Sequence, residues 1–188
     1  MDSYLLLRLL HFTGIIFLGG GLLAVFVSEW RSYGTKEPAA FAEAAYYSAI
    51  FYDVLVVPGA IMMWVSGPLL IWWLGLGWFA HPWLAGMWGL FLFEFVEGNT
   101  VTRIQFRRTL RLSRSFPPDE PLTGEKRRIA RTRLAQVAHF LDIPLFSVIV
   151  YCGVMRPEQW QHVAMAIGVA MIVAASLTIF VPRLARAA

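Results

Sequence analysis

The sequence has little charge, a single cysteine and none of the short motifs that carry common enzyme chemistry. Of its 188 residues, 15% are charged and 58% are hydrophobic, whereas about 25% of a typical soluble domain is charged. This balance excludes a disordered chain and an ordinary soluble domain. One cysteine, Cys152, excludes an intramolecular disulfide and a multi-cysteine metal site. The chain also lacks a P-loop and the GxGxxG, HExxH and GxSxG motifs.

Long apolar runs occupy most of the chain. A membrane-spanning helix needs about 20 mainly apolar residues, and five runs meet that requirement. We therefore predict an all-α polytopic integral membrane helix bundle that forms one domain, residues 1–188. The first run is too long for the apolar part of a cleavable signal peptide. The predicted spans are 4–27, 44–74, 83–101, 134–155 and 159–182.

Positive charge is concentrated in one predicted loop. Residues 103–133 contain ten lysines and arginines and three acidic residues. Basic loops stay in the cytoplasm, so we expect the N-terminus outside, the C-terminus inside, and a bacterial cytoplasmic (inner) membrane. We predict that Arg103–Arg114 and Lys126–Arg133 extend spans 3 and 4 as helices, with a break at Phe116-Pro117-Pro118-Asp119. Anionic lipids, not nucleic acid, are the expected partner of this loop. The chain could also form a homo-oligomer or bind other membrane subunits.

Three potential metal ligands lie at a similar predicted depth in the outer half of the bundle. They are His11 in span 1, Met87 at the start of span 3 and His162 at the start of span 5. Gly14 shares a helix face with His11 and could leave room for a flat macrocycle, whose iron takes an axial imidazole. Arg8 could pair with a haem propionate. Each residue has an alternative explanation that does not involve haem. Gly14 could allow close helix packing, and Arg8 could contact lipid headgroups.

Five ionisable side chains lie in the predicted inner half of the spans. Such residues are costly within a membrane and are candidates for function. Glu94 and Glu97 are one helical turn apart, as are His139 and Asp142, and Asp53 precedes a Pro-Gly pair in span 2. We consider two roles for this cluster, a proton relay and structural pairing with nearby arginines.

The order of several short motifs resembles the HemJ-type protoporphyrinogen oxidases and a related family of uncharacterised predicted integral membrane proteins. Copper-resistance D proteins look like more distant relatives. The resemblance covers residues 4–157 as a four-helix core, and the fifth span lies outside it. The segments that carry it are Tyr4 to His11, Val57 to Gly67, Trp83-Leu84, Phe140 to Pro144, and Val154 to Pro157.

The resemblance implies haem b bound through His11, with Arg8 one turn before it as in the HemJ pattern. It also implies a functional lysine at the start of the third span, where this chain has Met87 and no lysine nearby. We therefore expect a b-type haem protein that acts in electron transfer or as an oxidoreductase component, rather than in porphyrinogen oxidation. Met87 or His162 would be the second axial ligand.

Two other functions stay open at the level of sequence. One is a cofactor-free helical subunit of a larger membrane complex. The other is a small ion or copper transporter, since Cu(I) favours histidine and methionine ligands and span 2 contains Met62 and Met63.

Overall fold

The computed structural model describes residues 2–117 and 120–187, and these residues form helices and connecting turns without a β-strand. Two π-helical turns, Tyr52–Val56 and Gly98–Thr102, join α2 to α3 and α4 to α5 without interrupting the helical path. The predicted all-α class is confirmed. The helices of the described part are α1 (Ser3–Gly34), α2 (Pro38–Phe51), α3 (Val57–Trp73), α4 (Pro82–Glu97), α5 (Arg103–Ser113), α6 (Gly124–Ala130), α7 (Arg133–Met155) and α8 (Trp160–Ala187).

Local chemistry explains where several helices begin. The Asp2 carboxylate accepts a hydrogen bond from Tyr4 N–H at 3.0 Å, which caps α1. Thr132 caps α7 in the same way, with its hydroxyl oxygen 3.3 Å from Ala135 N. Pro58 has no N–H to donate to the preceding turn. The backbone there widens, and Val57 N–H bonds to Tyr52 O five residues back.

Within the described residues, four helical stretches are long and apolar enough to cross a membrane. They are Ser3–Gly34, Pro38–Trp73, Arg133–Met155 and Trp160–Ala185, and they contain four of the five predicted spans, apart from one end residue each of spans 44–74 and 159–182. The predicted span 83–101 lies in α4 and the π-helical turn that follows it. α4 has 16 residues, and its apolar run is interrupted by Glu94 and Glu97, so membrane crossing by this helix stays a prediction.

The basic loop differs from its predicted form in one half. Its first half does extend span 3, because α5 follows α4 through a π-helical turn. The second half forms the separate helix α6, and Arg131 and Thr132 leave the helical conformation before α7 begins. The prediction that Lys126–Arg133 continues span 4 is therefore wrong, since the Thr132 cap starts a new helix. In the predicted break, Pro118 and Asp119 lie outside the described residues.

The helices pack as a bundle around α1. One side of α1 contacts α2 and α3 and another contacts α8, while α7 packs between α8 and α4. The largest buried cluster joins Leu18, Leu22 and Val25 of α1 to Phe91 of α4 and Ile149 of α7. Many large apolar side chains instead face outward along α1 and α8. A lipid environment accounts for such an apolar exterior.

Candidate functional site

A cavity lies between α1, α3, α4 and α7 at the end of the bundle opposite the basic loop. We call it the His11 cavity, and its volume is about 170 Å³. Leu74 and Arg156 line it and are exposed, so the cavity reaches the protein surface where α3 and α7 end. The lining side chains that bear on chemistry are His11, Met63, Met87, Trp88 and Arg156, with Gly67 and Gly153 in the walls.

Hydrogen bonds fix which nitrogen of the neutral His11 ring carries the proton. Its Nδ1 lies 2.9 Å from Ser66 Oγ. Ser66 Oγ–H donates to Met62 O at 2.6 Å, so the single hydroxyl proton is already used. His11 Nδ1–H must then donate to Ser66 Oγ, and the lone pair of the neutral imidazole lies on Nε2. An imidazole held in this way is the usual form of a metal-ligating histidine.

The donor atoms around the His11 cavity suit iron or copper. Imidazole and thioether groups are axial ligands of haem iron and also ligands of Cu(I). A glycine lies beside each of these donors, and a side chain at either position would contact that donor. A Cβ added at Gly67 would lie 3.9 Å from His11 Cε1, and one at Gly153 would lie 3.4 Å from Met87 Sδ. The volume is smaller than the roughly 300–1,000 Å³ of most cofactor pockets, which favours a small ligand.

The other residues predicted around His11 lie elsewhere. Arg8 is exposed and its guanidinium stacks on Tyr4 and Phe12 of its own helix, at 5.4 and 5.9 Å from the ring centroids. Gly14 faces α3, where an added Cβ would lie 3.0 Å from Met62 Cβ and 3.1 Å from Gly59 O. Helix packing, the alternative considered for Gly14, therefore accounts for this glycine. His162 is exposed and does not line the His11 cavity.

The structure places the cationic side chain of Arg156 at the His11 cavity. Its backbone has φ 47° and ends α7 in the left-handed conformation, which residues other than glycine rarely adopt. The guanidinium lies 5.4 Å from the Trp83 ring centroid. Arg156 was not singled out from the sequence as a functional residue. A signal was available, since Val154 to Pro157 is one of the segments shared with the resembling families.

The predicted inner acids divide into two groups. Asp53 lies on the α5 side and pairs with two arginines, at 2.7 Å from Arg103 Nε and 2.8 Å from Arg107 Nη2. This contact joins the π-helical turn Tyr52–Val56 to α5 and corresponds to the structural pairing considered from sequence. Its partial exposure limits what the pairing adds to stability.

The second group lies in the bundle interior. Glu94 and Asp142 line a cavity of about 40 Å³ together with Tyr52 and Asn99, which we call the acid cavity. His139 Nδ1 lies 3.5 Å from Asp142 Oδ2, and both side chains are buried. Glu97 Oε1 accepts a hydrogen bond from Thr102 Oγ1 at 2.8 Å. Tyr52 was not identified from the sequence as a functional residue. The structure places Tyr52 in the π-helical turn before Pro58, and such turns are frequent at functional sites.

The fold and these buried polar groups define a class of protein, a helical integral membrane protein with ionisable residues inside its bundle. Residues 5–157 match the family described as "Predicted integral membrane protein (DUF2269)", and the chain belongs to that family. The match confirms the predicted relation to an uncharacterised family of integral membrane proteins. No curated protein and no solved structure matches the chain.

Proposed function

We propose that this membrane protein binds a redox-active metal cofactor in the His11 cavity, with His11 Nε2 as a ligand. The observation that carries the proposal is the hydrogen-bond sequence from His11 Nδ1–H to Ser66 Oγ and from Ser66 Oγ–H to Met62 O. It leaves the Nε2 lone pair free on a ring that lines a cavity. A histidine that served only to join helices would need neither the open cavity nor the thioether groups opposite it.

Haem b is one candidate for the cofactor, and the His11 cavity of about 170 Å³ would have to widen to admit it. His11 and Met87 would hold the iron, and Arg156 would pair with a propionate in place of the predicted Arg8. A bound haem would supply one-electron transfer. The resemblance to HemJ-type enzymes supports haem, but porphyrinogen oxidation is not part of the proposal because Met87 occupies the region of their functional lysine.

Copper(I) is the second candidate, and two observations favour it. Met63 and Met87 both line the cavity that His11 lines, so two thioethers and one imidazole, the ligand types that Cu(I) prefers, border the same space. A volume of about 170 Å³ also accommodates an ion with side-chain ligands more readily than a whole macrocycle. Copper would connect the protein with the distant resemblance to copper-resistance D proteins.

The test is to purify the protein from cells supplied with haem precursor and copper, and to measure both cofactors. The absorption spectrum before and after dithionite reduction detects haem b, and elemental analysis detects copper. We expect one cofactor near one equivalent per chain. In His11→Ala we expect at least a tenfold loss of it, because the metal loses a ligand.

The matched control is His162→Ala, which removes an exposed histidine that lies away from the cavity. This variant should keep the full cofactor content. If wild-type protein carries neither haem nor copper, or if His11→Ala keeps its content, the proposal is wrong. The reading as a cofactor-free subunit of a larger membrane complex would then be the better one.

A further inference from the structure

Several buried polar atoms lack a hydrogen-bond partner within the described part of the chain. They are Glu97 Oε2, both ring nitrogens of His139, and Asp142 Oδ2. Buried polar atoms are nearly always paired with protein or ordered water, and leaving them unpaired within a membrane is costly. Three of the four atoms belong to His139 and Asp142, which lie one helical turn apart on α7. This pair is therefore positioned to exchange protons or to contact internal water.

Small cavities lie on both sides of the His139–Asp142 pair. The acid cavity, on the Asp142 side, has a volume of about 40 Å³. This exceeds the roughly 10–15 Å³ that a single water molecule needs, so the acid cavity has room for water. On the other side, His139 lines a second cavity of about 10 Å³, close to the size of one water molecule. We call this second cavity the entry cavity.

The entry cavity adjoins a surface cleft. Tyr33, Arg131 and Gln136 line both the entry cavity and this cleft of about 700 Å³, which we call the basic cleft, so these side chains stand between the two spaces. The basic cleft is also lined by Arg127, Arg133 and Arg183 and lies at the end of the bundle that carries the basic loop. The His139–Asp142 pair thus lies between the entry cavity, which adjoins a surface cleft, and the acid cavity that Glu94 lines.

Three charged groups act on His139. Glu29 of α1 and Arg131, which precedes α7, line the entry cavity together with Tyr33, and Glu97 of α4 is the third. From α5 the entry cavity is lined by the uncharged residues Gln105, Phe106 and Thr109. Arg131 Nη2 lies 2.9 Å from Glu29 Oε2, so these two charges largely neutralise each other. His139 is therefore left as the group able to accept and release a proton between the two cavities.

We propose that these cavities form a proton-conducting half-channel that runs from the basic cleft through His139 to Asp142 and Glu94. Neutral His139, with its proton on Nδ1, accepts a second proton from water in the entry cavity on Nε2. Once Asp142 has passed its own proton to water in the acid cavity, the imidazolium releases the Nδ1 proton to Asp142 Oδ2. The ring is then neutral with its proton on Nε2, and a flip of the ring restores the starting arrangement before the next transfer. Water in the acid cavity carries the proton from Asp142 to Glu94. The proposal does not depend on metal binding at His11.

The half-channel ends below the His11 cavity. Phe91 and Ile149 line both the acid cavity and the His11 cavity, and they form an apolar wall between them. Protons therefore enter and leave the acid cavity from the basic end of the molecule. Movement of protons along this path would compensate the change in charge when a group on the other side of the wall is oxidised or reduced.

The experiment is infrared spectroscopy of the full chain in liposomes during exchange from H₂O to D₂O. Protonated carboxyl groups of Asp142 and Glu94 give a C=O stretching band that shifts when the proton is replaced by a deuteron. We expect this band at neutral pH in the wild type. Asp142→Asn and Glu94→Gln should each remove part of it, whereas Glu43→Gln, which changes an exposed carboxylate, should leave it unchanged.

The rate of the band shift tests the role of His139. In His139→Phe the aromatic contacts to Phe106 and Phe140 can be kept, while proton transfer between the cavities is lost. We expect the exchange to slow by about 100-fold. Gln136→Leu, in which an apolar side chain takes the place of a polar one in the entry cavity, should also slow it, and is the variant to use if His139→Phe does not fold. His162→Gln serves as the histidine control.

Two results would overturn the proposal. One is the absence of a protonated carboxyl band from the wild type. The other is exchange in His139→Phe or Gln136→Leu that is as fast as in His162→Gln. Either result can occur with or without metal at His11, so failure here and failure of the proposed function can be told apart.

Discussion

At the scale of single residues, Ser66 determines what His11 can do. Ser66 lies on α3, and its hydroxyl is both the acceptor for His11 Nδ1–H and a donor to Met62 O. Without this acceptor the imidazole could rotate or place its proton on Nε2, and the lone pair would no longer be available to the cavity. A side chain that touches no ligand thus holds a ligating group in position.

Replacing Ser66 with alanine tests that role. In Ser66→Ala we expect the affinity for the bound cofactor to fall by about 10–100-fold, which is typical when the partner of a ligating histidine is lost. The measurement is a titration of cofactor-free protein with haem or with Cu(I), whichever the purified protein contains. Ser147→Ala is the matched control, because its exposed hydroxyl bonds only within α7, to Ile143 O at 2.9 Å. Equal affinities in the two variants would contradict the prediction.

At the scale of elements, the approach of α1 to the α2–α3 helical stretch depends on small residues. A Cβ added at Gly21 would lie 2.8 Å from Leu55 Cβ and 2.9 Å from the backbone nitrogen of Val56. At Gly20, the neighbouring position, an added Cβ would meet nothing within 4 Å. Close packing of helices through small residues is a general feature of membrane bundles.

These adjacent glycines give a matched pair of variants. We expect Gly21→Ala to destabilise the protein by about 1–3 kcal/mol, because backbone of the Tyr52–Val56 turn must move to admit the methyl group. Gly20→Ala should be neutral or slightly stabilising, since alanine is the better helix former. Thermal unfolding in mild detergent compares the two. A similar loss of stability in both variants would show that the packing of Gly21 is not the cause.

At the scale of the whole molecule, arginines join the basic end to the bundle. Arg131 pairs with Glu29 of α1, and Arg127 donates to the backbone carbonyl groups of Ser32, Tyr33 and Thr35. The segment of chain around α6 is thereby held against the end of α1. The expected contact of this end with anionic lipid headgroups stays a prediction.

The orientation of the bundle in the membrane can be tested with single cysteines. After Cys152→Ala removes the one native thiol, Ala80→Cys and Lys36→Cys place a thiol at opposite ends of the bundle. The positive charge of the basic end predicts that a membrane-impermeant maleimide labels Ala80→Cys in intact cells, and Lys36→Cys only after permeabilisation. Labelling in the reverse order would invert the predicted topology. Labelling of both in intact cells would exclude the predicted arrangement of spans.

The sequence by itself determined the class of protein, the all-helical fold, the location of the basic end and, of five predicted spans, the four that lie in long apolar helices. These properties follow from hydropathy and charge along the chain, which act whatever the neighbours of each helix are. The third predicted span stays a prediction, and only the tertiary structure shows that the carboxyl group of Glu94 within it lines a cavity.

Only the tertiary structure decided which side chains meet. Depth along the membrane normal can be counted from sequence, and it placed His11, Met87 and His162 together. The direction in which each residue faces depends on how helices pack, and packing brought Met87, Met63 and Arg156 to His11 while leaving Arg8 and His162 outside. The same packing joined His139 and Asp142 to Glu94 and separated Asp53 from them, because Asp53 faces the arginines of α5.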